Sequence, residues 1–166
     1  MLLYLVSWYW NWVDYQIGFH THHMTNAQEK LQMFIHLLAT HQTNSTLTTY
    51  LDVEVLARLV MVEASKAYLT KEVDQDNKEG LFQEYKSLCH KMAETVLDIQ
   101  PAYPYPHALV STLIESARKH RFFAQHLPSL TEVKDQGQNQ SSLEAFLRHI
   151  AFSSLGLGDF SSQKPS

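Results

Sequence analysis

Apolar residues recur along most of this chain at the three- and four-residue spacing of an α-helix. The most apolar stretch, 52–70, keeps only a narrow polar seam of Glu54, Arg58 and Ser65. Because a helix that is apolar over most of its surface must be covered by its neighbours, this stretch predicts the central helix of a helical domain. Its valines leave a β-strand over 57–62 as an alternative.

Four further helices are predicted, with starts near residues 26, 76, 106 and 141. In three of them a polar residue is followed three positions later by Gln or Glu, which is the pattern of a helix-capping box. These pairs are Thr25 with Gln28, Asp76 with Glu79, and Ser141 with Glu144. The helix from Asp76 is expected to continue unbroken to Gln100. Pro106 opens the next helix and Pro128 ends it, while Gly156 and Gly158 end the last.

Together these segments predict an all-α fold of about five amphipathic helices, arranged as a bundle or a short helical-hairpin array around the central helix near 52–70. We expect one helical domain over residues 24–160 and a flexible tail over 161–166. A chain of this size can bury about 70% of its unfolded surface in one core. No residue-level repeat is found, so a true repeat array is the weaker option.

The first 23 residues differ in composition from the rest of the chain. They contain Trp8, Trp10 and Trp12, which are all of its tryptophans, and no lysine or arginine. We expect this segment to pack across the helices. One alternative is membrane contact through these tryptophans, although the missing basic residues disfavour it. Another is that the segment is a non-native start and that the structural unit begins at Met24.

The charge and cysteine content narrow the class of protein. The chain has 13 basic and 17 acidic residues, for a net charge of −4, which is not the basic signature of nucleic-acid binding. Cys89 is the only cysteine, so neither an internal disulfide nor a cysteine-rich zinc site can form. A single thiol suits a reducing compartment. We therefore expect an intracellular, cytoplasmic protein with no nucleic-acid partner, and a nuclear location stays open.

Motifs for catalysis are missing from the sequence. It contains no glycine-rich phosphate loop, nucleophile elbow, HExxH or CxxC. We therefore expect no catalytic residues and no cofactor. The tightest histidine cluster, His20, His22 and His23, is a weak candidate for a transition-metal site, because imidazole binds zinc, copper and nickel.

These observations favour a non-catalytic helical interaction or scaffold module that binds other protein subunits in a larger intracellular assembly. The candidate partner contacts lie in the proline-rich turn over residues 100–106 and at the basic end of the helix that follows it. They are Tyr103, Tyr105, Arg118, Lys119, Arg121 and Phe122.

Two alternatives belong to other functional classes. The first is a helical-bundle small-molecule-binding protein or enzyme, whose pocket is assembled from scattered side chains such as Glu63, Tyr85, His90 and His107. The second is a peripheral membrane protein attached through residues 1–13, a run shorter than the roughly 20 residues that span a bilayer.

Overall fold

The computed structural model describes residues 2–40, 71–80, 82–134 and 141–158, together with Val55, Leu59 and Glu63. These parts of the chain contain helices and no β-strand, which confirms the predicted all-α fold. The helices are α1 (Leu2–Thr21), α2 (Ala27–Ala39), α3 (Val73–Lys78), α4 (Gln83–Ile99), α5 (Pro106–His126) and α6 (Ser141–Ser154), and a 3-10 helix follows α5 at Pro128–Leu130.

The chain divides into two compact units. The first combines residues 1–22 with 41–91, and the second combines residues 23–40 with 92–166. Helix α4 contributes its first half to one unit and its last half to the other.

The aromatic N-terminal segment contributes α1 to the same unit as residues 41–91. The reason is that α1 has a buried apolar face of its own, formed by Val6, Trp10 and Ile17.

In the first unit, α1 packs along the first half of α4. The ring of Trp10 stacks on that of Tyr85, with 4.5 Å between ring centroids. Two polar contacts flank this stack. Ser7 Oγ donates to Glu84 Oε2 at 2.8 Å, and Lys91 Nζ lies 2.7 Å from Asp14 Oδ2. Since both contacts follow the same order along the two helices, α1 and α4 run parallel.

In the second unit, α2, α5 and α6 pack against one another pairwise. Their apolar stripes form the core, and most of its side chains are fully buried. Among them are Leu31, Phe34, Ile35, Val110, Leu113, Ile114, Leu147 and Phe152. The buried side of the helix that starts at Pro106 is formed by Leu109, Val110, Leu113, Ile114 and Ala117.

The unbroken helix predicted from Asp76 to Gln100 is wrong at its start. Helix α3 ends at Lys78, and Gly80 then adopts a φ of 81°, a left-handed conformation that glycine tolerates and that ends helices. Asp76 lies inside α3, where its N–H donates to the carbonyl of Glu72 at 2.9 Å. Asp76 and Glu79 therefore do not form a capping box.

The cap of α2 lies one residue later than the sequence pattern predicts. Asn26, not Thr25, is the N-cap, and its Oδ1 accepts from the backbone N–H groups of Gln28 at 2.8 Å and Glu29 at 3.4 Å. Asparagine is at least as good an N-cap as threonine, so the neighbouring residue takes the role.

The other predicted helix boundaries agree with the structure. Pro106 occupies the first position of α5, which ends at His126 ahead of Pro128, and α6 begins at Ser141. Gly156 ends α6 with a φ of 70°. The N–H of Gly156 donates to the carbonyl of Ser153, and that of Leu157 donates to Phe152. This pair of bonds is a Schellman motif.

The predicted central helix near 52–70 lies largely outside the described residues. The three described positions in it, Val55, Leu59 and Glu63, are helical, which agrees with a helix there. Val55 is 57% exposed and Leu59 is 38% exposed, so these two apolar positions lie at the surface.

Candidate interaction surface

Helix α1 has two apolar faces, and one of them is open to solvent. Among residues 4–21 the exposed positions are Tyr4, Trp8, Asn11, Tyr15, Gly18 and Phe19. At 3.6 residues per turn, all of them fall in one sector of about 100° around the helix. The buried residues Val6, Trp10 and Ile17 lie on the opposite side. The helix is therefore anchored by one face and presents the other.

Four aromatic side chains dominate the open face. Tyr4 is 72% exposed, Trp8 42%, Tyr15 62% and Phe19 66%. We call these four residues the aromatic stripe. It extends for about 22 Å along the helix, given a rise of 1.5 Å per residue. An exposed apolar surface of this size is uncommon on a protein that works alone and is typical of interaction sites.

The aromatic stripe carries no charge. Asp14 is the only Asp, Glu, Lys or Arg residue in α1, and it lies beside the packed face, where Lys91 binds it. The stripe can therefore be covered by an apolar partner without moving an ionised group out of water, a transfer that is costly.

The three tryptophans do not form one surface. Trp10 is only 2% exposed and is held in the stack on Tyr85. Trp12 is half-buried, and its indole nitrogen is inaccessible to solvent. Trp8 alone of the three is exposed. Of the three tryptophan rings, the structure therefore presents that of Trp8 most openly to solvent. In the described part of the chain, no helix combines the length and apolarity needed to cross a bilayer.

Two of the predicted partner contacts are used inside the second unit. Arg118 is 7% exposed and its Nη1 lies 3.1 Å from Glu115 Oε1. Arg121 Nη2 donates to the carbonyl of Leu38 at 2.8 Å and to that of Ala39 at 2.9 Å. Both guanidinium groups therefore make contacts within the fold.

The other four predicted contacts are divided between the two ends of α5. Tyr103 and Tyr105 lie before its first turn, with their rings edge to face at 6.4 Å, and Tyr105 is 66% exposed. Lys119 is exposed in the second half of α5 and Phe122 is 37% exposed there. The two ends are about 25 Å apart along the helix axis, so these residues do not form one site.

A polar cluster that sequence reasoning missed joins α2 to α6. Glu144 Oε2 accepts from His36 Nδ1 at 2.9 Å, and Glu144 Oε1 accepts from Arg148 Nη2 at 3.0 Å. The Arg148 contact is a local i,i+4 pair that sequence spacing can suggest. The His36 contact joins residues 108 positions apart, so no pattern in the local sequence predicts it. The cluster fixes the register of two packed helices.

The weak metal candidates lie at and beyond the end of α1. The ring of His20 lies edge-on to Phe19 with 5.4 Å between centroids, and His22 and His23 are exposed after Thr21. Across the described residues, no group of three or more His, Cys, Asp or Glu side chains is placed to hold a metal ion.

The four side chains suggested for a pocket differ in burial and in their surroundings. Tyr85 is part of the stack with Trp10, His90 and His107 are exposed, and Glu63 is half-buried. Cys89 is buried, as expected for a thiol that acts as a small apolar residue.

Comparison with known proteins gives no relative from which a function can be transferred: no protein-family model, no curated protein and no solved structure matches this chain. The aromatic stripe, defined by its own geometry, is the candidate functional site.

Proposed function

We propose that this chain is a non-catalytic helical protein–protein interaction module and that the aromatic stripe is its docking surface. The observation that supports the proposal is the pair of opposed faces on α1. Val6, Trp10 and Ile17 already anchor the helix, so the core does not need the stripe. Tyr, Trp and Phe are enriched at the buried centres of protein interfaces, where a few such side chains supply most of the binding energy.

The packing of α1 favours tight recognition. The stack of Trp10 on Tyr85 and the ion pair of Asp14 with Lys91 hold the helix on α4 before any partner arrives. A preformed helix loses little further conformational entropy on binding, so more of the contact energy appears as affinity.

The charge of α1 favours a protein partner over a lipid surface. Helices that lie in the membrane interface usually carry Lys or Arg on the polar face, where these residues meet anionic headgroups. Helix α1 has neither, and Asp14 is its only fully charged side chain. We propose that the module acts as one subunit of a larger assembly. Its single cysteine suits a reducing compartment, which favours the cytoplasm.

Affinity capture with matched variants tests the proposal. Three proteins would be immobilised: the full chain, the double variant Trp8→Ala/Tyr15→Ala and the control Tyr105→Ala. Each would be incubated with cell extract to which untagged chain has been added. The bound proteins would then be quantified by mass spectrometry. The control Tyr105 is about as exposed as Phe19 but belongs to the other unit. We expect the double variant to lose its partner at least tenfold, because one interfacial hot-spot residue contributes about 2 kcal/mol or more. The control should retain it.

Flotation of the same proteins with liposomes containing anionic lipid completes the test. We expect none of them to float. If the unmodified chain floats and Trp8→Ala/Tyr15→Ala does not, the stripe is a membrane anchor and the proposal is wrong. Equal capture by the chain and the double variant would also contradict it.

A further inference from the structure

We infer that the aromatic stripe binds a second copy of this chain, with the two α1 helices antiparallel about a two-fold axis. This inference rests on the proposed function, since it names the partner of the same surface. Three properties of the stripe support it: its internal symmetry, its lack of charge and its size.

The symmetry is read directly from the positions of the four aromatic residues. Tyr4 and Phe19 are equally distant from the midpoint between Asn11 and Trp12, and Trp8 and Tyr15 are also equally distant from it. A two-fold axis through that midpoint places Tyr4 opposite Phe19 of the second copy and Trp8 opposite Tyr15 of the second copy. Each aromatic ring then meets another aromatic ring. A two-fold interface requires this self-complementarity, because the same patch forms both sides.

The spacing along α1 also suits a helix pair. Tyr4, Trp8, Asn11 and Tyr15 follow the alternation of four and three residues that forms the seam of two coiled helices. Asn11 lies next to the two-fold axis, at the centre of an otherwise aromatic seam. A single polar residue at such a position fixes the register of helix pairs.

The absence of charge on the stripe favours self-association. In an isologous interface each side chain near the axis meets its own equivalent, so a charged stripe would repel itself. Asp14, the only acidic residue of α1, lies off the stripe and is bound by Lys91. Two stripes can therefore meet without burying an Asp, Glu, Lys or Arg side chain.

The size of the stripe reaches the lower limit for a specific interface. With exposed fractions of 72%, 42%, 62% and 66%, the four side chains offer on the order of 500 Å² per copy. The pair then buries about 1,000 Å², near the lower bound for a biological contact. We therefore expect a dimer that dissociates on dilution, and experiments should cover a wide range of protein concentration.

Sedimentation velocity of the full chain tests the association. From about 1 to 100 μM, a range that starts at the micromolar end of the affinities known for protein interfaces, the chain should shift from monomer to dimer. Trp8→Glu/Tyr15→Glu should stay monomeric. Position 8 of each copy lies opposite position 15 of the other, so two pairs of negative charges would face each other. Trp8→Lys/Tyr15→Glu should regain the dimer, because the antiparallel pairing puts opposite charges together. Tyr105→Ser, altered in the other unit, should associate as the unmodified chain does.

Cross-linking tests the antiparallel arrangement. In a Cys89→Ala background, Asn11→Cys should be joined to its own copy by a short bismaleimide, since both thiols lie beside the axis. Tyr4→Cys should not be, because its two copies lie about 22 Å apart along the axis. A mixture of Tyr4→Cys with Phe19→Cys should be joined efficiently. The reverse result, with Tyr4→Cys joined to itself, would overturn the antiparallel pairing.

The outcomes separate this inference from the proposed function. A chain that stays monomeric at 100 μM but captures another protein through the stripe overturns self-association and leaves the interaction module intact. A monomeric chain that binds liposomes through Trp8 overturns both. A dimer that persists unchanged in Trp8→Glu/Tyr15→Glu overturns the inference, since that dimer uses another surface.

Discussion

Arg121 illustrates how a residue with apparent surface chemistry can serve the fold. In sequence it belongs to a basic cluster at the end of a helix, which suggested a contact with a partner. In the structure its guanidinium donates to the carbonyls of Leu38 and Ala39, at the end of α2. Those carbonyls have no partner within their own helix, and a cation there also complements the helix dipole.

We expect Arg121→Ala to lower the free energy of unfolding by about 1.5–3 kcal/mol, the range for hydrogen bonds to a charged group. Lys119→Ala, an exposed neighbour on the same helix, should change it by no more than about 0.5 kcal/mol. Chemical denaturation followed by circular dichroism gives both values. Equal losses in the two variants would show that Arg121 acts only through the net charge of the helix.

Two glycines should respond in opposite ways to the same substitution. Gly156 adopts a φ of 70°, so Gly156→Ala should destabilise the protein by roughly 1–2 kcal/mol, the cost of a left-handed conformation for other residues. Gly18 lies in the interior of α1, and an added Cβ would meet no atom within 4 Å. Gly18→Ala should therefore stabilise by about 0.5–1 kcal/mol. Thermal unfolding at low protein concentration measures both, and shifts of the same sign would contradict the assignment.

At the scale of elements, α1 is the helix that sequence reasoning missed. Its aromatic composition drew attention away from a regular spacing, because Val6, Trp10 and Ile17 share one face. The stripe on the opposite face makes the helix apolar nearly all round, and this weakens the amphipathic signal. Apolar residues on both faces of α1 were themselves an available signal, since only one apolar face is needed to pack the helix against the core.

The opposed faces of α1 predict very different stability losses for substitutions at two neighbouring tryptophans. Trp10→Ala should cost about 3–5 kcal/mol, because the ring is 2% exposed and its removal leaves a cavity against Tyr85. Trp8→Ala should cost no more than about 0.5 kcal/mol in the monomer, since the side chain is 42% exposed. Urea unfolding at low micromolar concentration measures both. Similar costs would mean that the two faces are not distinct.

The sequence predicted the helices of the second unit more completely than those of the first. Pro106, Ser141 and Gly156 are strong local signals, and each marks a boundary of α5 or α6. The break at Gly80 was missed because the spacing of Asp76 and Glu79 matches a capping box, which placed a helix start before the glycine. The tie between His36 and Glu144 depends on how α2 and α6 pack, which no local pattern contains.

At the scale of the whole molecule, the candidate site could be predicted only in part. Sequence composition singled out the aromatic N-terminal segment and predicted that it packs across the helices. It could not say which of the segment's rings are covered, because that depends on the packing of α1 against a helix about 77 residues away. The structure assigns Trp10 to the core and Trp8 to the surface. This division turns a compositional bias into a defined candidate surface.

Self-association through the stripe predicts that thermal stability depends on concentration. Binding of a second copy to the folded chain stabilises it by mass action, by up to about 2.7 kcal/mol when the concentration reaches a hundred times Kd. For a chain of this size, that corresponds to a rise in Tm of roughly 5–10 °C. Trp8→Glu/Tyr15→Glu should melt at a temperature that does not change with concentration, while Tyr105→Ser should follow the unmodified chain. Differential scanning fluorimetry between about 1 and 100 μM, the range set by the expected affinity, would reveal the dependence. If the unmodified chain and the double variant rise equally with concentration, α1 is not the surface that joins the copies.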